Sequence, residues 1–162
     1  MTDAALSSTE ETSPTALITA ELVDLDLPSA DRRTAVRSLA ERLEKAGRVT
    51  DLERFLADIE AREEQMATGL EGGIGIPHCR SAAVTEPTLA FGRSAGGVDF
   101  GAEDGPARLI FMIAAPEGGN TDHMTVLAAL ARRLVRRAFT DELLGATDAG
   151  HVAAYIQKEV AR

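Results

Sequence analysis

Between Arg108 and Pro116 the chain reads RLIFMIAAP, seven consecutive apolar residues framed by an arginine and a proline. A strand solvated on one face alternates apolar and polar residues. An unbroken run of this length therefore calls for a strand covered on both faces. The covering layers must come from the flanks, and both flanks carry helical periodicity. Val36, Leu39, Ala40 and Leu43 fall at i, i+3, i+4 and i+7, with Ser29 available as a cap and Gly47 closing the helix. Thr50 and Glu53 have the spacing of a capping box ahead of a stripe of Leu52, Phe55, Leu56 and Ile59, in a helix expected to fade near Thr68 and Gly69. After the apolar run, Leu127, Leu130 and Leu134 mark a helix opening around Asp122, Thr140 to Leu144 another turn or two, and Val152, Ala153, Ile156 and Val160 a last helix.

The remaining strands are expected at LVDLDL (Leu22 to Leu27, alternating with period two), GGIGIP (Gly72 to Pro77), TLAFGRS (Thr88 to Ser94) and a short VDF at Val98. The fold class is then α/β, one domain built on a central mixed β-sheet with helices on both faces. A chain of 162 residues suits a single core. Residues 1–14, rich in Ser, Thr and Glu, read as a disordered tail, leaving 15–162 as the domain.

A net charge of −9 argues against a nucleic-acid partner, which needs clustered cations, and against an anionic membrane surface. No apolar run approaches the ~20 residues of a membrane helix, and the N-terminus lacks the basic flank and apolar core of a signal peptide. The expected location is cytoplasmic. The single cysteine, Cys79, excludes an internal disulfide.

Chemistry concentrates at Gly72-Gly73-Ile74-Gly75-Ile76-Pro77-His78. Period two places Ile74 and Ile76 on one face and Gly73 and Gly75 on the other, so one side packs and the other admits a close approach. Pro77 holds Ile76 extended and has no N–H to donate, so the strand is expected to stop there with His78 at its end. Such a histidine suits a ligand or a nucleophile, although a lone loop histidine is more often structural. His123 sits just inside the predicted helix start, on the face of Leu127, Leu130 and Leu134, near free backbone N–H groups and the positive end of the helix dipole. That position fits a bound anion and fits equally a histidine that only caps or packs. His151 reads as surface. Adjacent side chains on an extended chain diverge, so His78 and Cys79 do not form a dyad and Cys79 reads as packing. No GxSxG, P-loop or HExxH sequence occurs, a zinc site has little to build on, and Glu63-Glu64 and Glu103-Asp104 read as solvated carboxylates.

Two segments, AREEQMATGLEGGIGIPHCR and FMIAAPEGGNTDHMTVLAALARRL, in this order and spacing, resemble the enzyme IIA domains of the sugar phosphotransferase system, in the fructose, mannitol and nitrogen-regulatory class. The likeness runs from about Thr15 to Val160 and is nearest to the fructose branch. It implies a phosphoryl carrier whose acceptor is His78, with His123 as the second active-site histidine and Arg62, sixteen residues before the acceptor, as the active-site arginine. The implied partners are the histidine-containing phosphocarrier protein as donor, a cysteine of an enzyme IIB domain as acceptor and, indirectly, a membrane enzyme IIC; no metal or cofactor is implied. The nitrogen-regulatory branch would instead make the chain a signalling protein whose phosphorylation state controls its partners. Gly75 stands where the family usually has alanine, a change expected to matter little. The resemblance is compatible with a whole protein and with the first domain of a longer IIABC polypeptide.

Overall fold

A computed structural model describes residues 16–118 and 122–160. Their elements follow a 3₁₀ turn at Ala20–Leu22: β1 (Val23–Asp24), α1 (Arg32–Lys45), α2 (Leu52–Gln65), β2 (Gly69–Leu70), β3 (Ile74–Gly75), β4 (His78–Ser81), β5 (Thr88–Val98), β6 (Ala107–Pro116), α3 (Asp122–Leu134), α4 (Arg137–Gly145) and α5 (Ala149–Val160). Among the described residues six strands form one mixed sheet. The order is β1-β5-β6-β3-β2, with β4 also paired to β6. The apolar run is its middle: β6 pairs antiparallel with β5 on one edge and parallel with β3 and β4 on the other. Ile110, Phe111, Met112, Ile113 and Ala114 are all buried, as the sequence requires of a doubly covered strand.

Alternation along the two central strands separates the layers. Phe91 and Phe111, partners in register, lie 5.1 Å apart between ring centroids. Phe111 stacks on Phe139 of α4, which stacks on Tyr155 of α5. Gly92 and Ile110 point the other way, and a Cβ at Gly92 would run into Leu39 of α1. Helices therefore cover both faces, α1 on β5 and α3 on β6. No helix among the described residues is long and apolar enough to cross a membrane.

The caps differ from expectation by one or two residues. Asp31, not Ser29, caps α1, its carboxylate accepting Thr34 N–H at 2.7 Å, while Ser29 Oγ donates to Gly97 O. Asp51, not Thr50, caps α2 by accepting Arg54 N–H, and Thr50 Oγ donates to Ala83 O. In both places a carboxylate one residue before the helix wins the N–H groups, where its charge also meets the positive helix end. Gly47 does close α1: at φ +80° it donates to Glu44 O while Arg48 N–H reaches Leu43 O, satisfying two terminal carbonyls. The LVDLDL segment is in ladder register only at Val23 and Asp24, because Asp26 N–H folds back onto Asp24 Oδ1 and bends the chain before Leu27 N–H returns to Arg93 O of β5 at 2.9 Å. The N-terminal tail read from the sequence lies outside the described residues.

Candidate functional site

Proline 77 interrupts the ladder without ending it. Ile74 and Gly75 pair with Leu109 and Ile110; after Ile76 and Pro77 the pairing resumes, with His78 to Ser81 opposite Ile113 to Pro116. Pro77 lacks an N–H, but its carbonyl accepts Ile113 N–H at 3.0 Å and carries the chain across the gap. His78 thus opens a new strand, β4, rather than closing the previous one as the sequence suggested. Beyond β6, β4 has no strand neighbour among the described residues, so it is the sheet edge at this end.

Strand alternation divides the side chains of β4. His78 shares a side with Ile113 and Phe111, toward α3, and Cys79 turns to the opposite side, toward α2. Cys79 is buried, and burial followed by the charge of Asp58 pushes its thiol up to about 12, as befits a packing residue. His78 is only 8% exposed, and its Nδ1 lies 2.7 Å from Ile76 O. A carbonyl can only accept, so Nδ1 carries the proton and a neutral ring keeps its lone pair on Nε2. Burial lowers the His78 pKa; the Ile76 carbonyl opposes that, Arg62 adds to it and Glu63 opposes it.

A cavity of about 420 Å3 opens at this edge, lined by Asp58, Arg62 and Gln65 of α2, by His78 and Arg80 of β4, and by Met124 and Leu127 of α3. Arg62 and His78, sixteen residues apart in sequence, therefore border one space. Arg62 is half-buried in the last turn of α2, and its Nη1 donates to Met66 O at 3.2 Å, satisfying a carbonyl at the helix end. His123 is the second residue of α3, next to cavity-lining Met124, and its side chain lies outside the described residues. His151 is exposed, with Nε2 2.6 Å from Glu142, as expected of a surface residue.

Two pairs escaped the sequence reading. Glu63, taken there for a solvated carboxylate, is 5% exposed and accepts hydrogen bonds from Thr68 N–H and Thr68 Oγ, both at 2.8 Å. Its neighbour Glu64 is exposed. On α2 the two point about 100° apart, so adjacent carboxylates have opposite fates, and only the helical phase set by Phe55 and Ile59 would have separated them. The second pair is Ser81, fully buried on β4, which donates to Asp58 Oδ2 of α2 at 2.6 Å.

Residues 16–159 match the family model of the phosphoenolpyruvate-dependent sugar phosphotransferase system, EIIA 2. The chain belongs to that family. Its relatives include the PTS system fructose-specific EIIA component of Haloferax volcanii, 43% identical over 127 residues, which are 78% of this chain and 82% of that one. Among solved structures, the nitrogen regulatory protein IIA-Ntr of Neisseria meningitidis superposes with a TM-score of 0.79 at 29% identity, covering 86% of this chain and 96% of the other. The mannitol enzyme IIA of Escherichia coli, solved as a complex with phosphorylated enzyme IIB, superposes with a TM-score of 0.73 at 26% identity, covering 88% and 99%. As an EIIA component of a sugar phosphotransferase system, this chain is a phosphotransferase with the fructose-specific branch among its relatives.

Proposed function

We propose that the chain takes a phosphoryl group on His78 Nε2 from the phosphohistidine of the histidine-containing phosphocarrier protein and passes it to a cysteine of an enzyme IIB domain, in the service of fructose uptake through a membrane enzyme IIC. The observation that carries the reading is the 2.7 Å contact of His78 Nδ1 with Ile76 O. It commits one ring nitrogen as a donor and leaves the other as the nucleophile, at the mouth of a cavity bordered by Arg62. In the first transfer the donor's N–P bond breaks as the bond from phosphorus to His78 Nε2 forms; in the second that bond breaks as a cysteine thiolate attacks, and His78 returns neutral with its Nδ1 proton in place. Positioning and charge stabilisation supply most of the catalysis in such in-line transfers.

The arriving group adds about two negative charges to a chain already at −9, so cationic and N–H partners are needed at the cavity. Arg62 is proposed as one. His123, in the first turn of α3, is proposed as another, together with the backbone N–H groups of that turn. The enzyme IIB assignment draws on the mannitol complex, the sugar on the Haloferax relative, and the cytoplasmic location on what such a relay requires. The test is phosphotransfer from the phosphocarrier to this protein and on to a fructose-type enzyme IIB, each followed by mass spectrometry. Failure of the first transfer would end the reading.

The likeness to IIA-Ntr favours a second reading, in which phosphorylation of His78 switches the binding of regulatory partners. Phosphorylation by the phosphocarrier without onward transfer to any sugar-type enzyme IIB would select it.

A further inference from the structure

The buried Glu63 has no part in the transfer just described, yet removing a carboxylate from water costs several kcal/mol unless it is well bonded, and an apolar residue would pack here without that cost. Its two bonds both go to Thr68, one to the peptide N–H and one to the hydroxyl. Thr68 lies in the link between α2 and β2 and extends the β2–β3 ladder by one step: Gly69 pairs with Gly75, Leu70 with Ile74, and Thr68 O accepts Ile76 N–H at 3.2 Å. The carbonyl of Ile76, in the next peptide group along the chain, accepts His78 Nδ1–H at 2.7 Å. Glu63, Thr68, Ile76 and His78 are therefore linked residue by residue, each hydrogen-bonded to the next.

We infer that Glu63 is a positioning residue for His78: it clamps Thr68, Thr68 O holds the N–H of Ile76 and so the backbone of that residue, and the Ile76 carbonyl then fixes the ring's orientation and keeps the proton on Nδ1. The need for a clamp is local. The Ile76–Pro77 peptide has no N–H to anchor it, so its carbonyl is placed through the groups on either side, Ile76 N–H on Thr68 O before it and Pro77 O on Ile113 N–H after it. This rests on the proposed role of His78 as the phosphoryl acceptor, and it makes the geometry of Glu63, rather than its charge, the property that matters.

The variants separate these. In Glu63→Gln the amide oxygen can accept Thr68 N–H and the amide nitrogen can donate to Thr68 Oγ, so the clamp survives without the charge. In Glu63→Ala both bonds are lost, in Thr68→Val the hydroxyl bond is lost and only the backbone N–H bond remains, and Thr68→Ser restores the hydroxyl. Two measurements follow: the His78 ring tautomer by 15N NMR of the unphosphorylated protein, and the single-turnover rate of phosphorylation by the phosphocarrier. Glu63→Gln and Thr68→Ser are expected to keep the Nδ1–H tautomer and a rate close to wild type. Glu63→Ala and Thr68→Val are expected to populate both tautomers and to slow phosphorylation by about ten- to a hundredfold, the loss that a small misplacement of a reacting group produces. If Glu63→Ala does not fold, the Thr68 pair decides. A Glu63→Gln protein as slow as the broken-clamp variants would make the charge responsible and overturn the inference. So would a Thr68→Val protein with the wild-type tautomer. Should the wild type take no phosphoryl group at all, the proposed function fails, while the tautomer measurement still judges the clamp.

Discussion

Ser81 Oγ lies 2.6 Å from Asp58 Oδ2, so a fully buried hydroxyl on the edge strand β4 is bonded to a carboxylate on α2. The same hydroxyl oxygen accepts Ala83 N–H, and Arg54 Nε donates to the same carboxylate oxygen. The bond ties the far end of β4 to the helix that carries Arg62, which keeps both sides of the cavity in one rigid unit. Ser81→Ala removes the donor and leaves Ala83 N–H without its acceptor in a buried place. It should cost about 1–3 kcal/mol, seen as a lower urea midpoint at unchanged m-value. An unmoved midpoint would show that the bond contributes nothing net.

His78→Ala should keep the circular dichroism spectrum of the wild type and take no phosphoryl group, because the guanidinium groups of Arg62 and Arg80 that also line the cavity are permanently protonated and are no nucleophiles. Cys79→Ser should still be phosphorylated on His78, since the thiol is buried and pushed up to about 12, out of reach of any role at neutral pH. Peptide mapping of the phosphorylated protein checks both, and phosphate on any residue but His78 refutes the assignment.

The pH dependence has a definite sign. Burial, reinforced by Arg62, holds His78 below the ordinary value of about 6.5, against the Ile76 carbonyl and Glu63. As pH falls below about 6.5 the unfolded chain takes up the proton first, so this group's effect on stability is a loss that grows down through the folded pKa. Phosphorylation, which needs the neutral ring, should persist below pH ~6.5 until that lower value is reached. An NMR titration of His78 should move upward in Arg62→Gln and downward in Glu63→Gln. Movement in the opposite directions would contradict the arrangement of charges around the ring.

Arg62→Lys separates charge from shape. The ammonium keeps the positive charge beside His78 but loses the forked geometry and the bond to Met66 O. Transfer should slow while the titration of His78 stays near that of the wild type. A rate equal to wild type would leave Arg62 as a helix-end residue alone.

Gly75, where relatives of this kind were expected to carry alanine, is matched to its neighbour. A Cβ there would stand 2.7 Å from Phe100 Cδ2 and 2.9 Å from Cγ, and Phe100 is buried. Gly75→Ala should destabilise by about 1–3 kcal/mol through overpacking, and Phe100→Leu in the same chain should recover part of the loss. Thermal unfolding of the single and double variants would show it; a neutral Gly75→Ala would mean that the ring moves aside freely.

Local pattern was enough for the elements that local physics decides. The apolar run at β6, the 3.6-residue stripes of the helices and the glycine ending α1 each state their structure within a few residues, because burial on both faces, burial on one stripe and a left-handed φ leave few other residue types suitable. His78 stood out as a candidate through Pro77 and the glycines before it, though the sequence set it at the end of one strand and it begins the next. What the tertiary structure alone decided are matters of partnership across the chain. It chose Asp31 and Asp51 over neighbouring hydroxyls as caps, because Gly97 O and Ala83 O, distant in sequence, engaged Ser29 and Thr50. It resumed pairing after Pro77, because β6 runs alongside and offers Ile113 N–H to the Pro77 carbonyl. It buried Glu63 and left Glu64 in water, set the packing between Gly75 and Phe100, and brought Arg62, His78 and Met124 around one cavity. A residue's type limits which bonds it can make, but which of those bonds it makes depends on the groups that folding carries to its side.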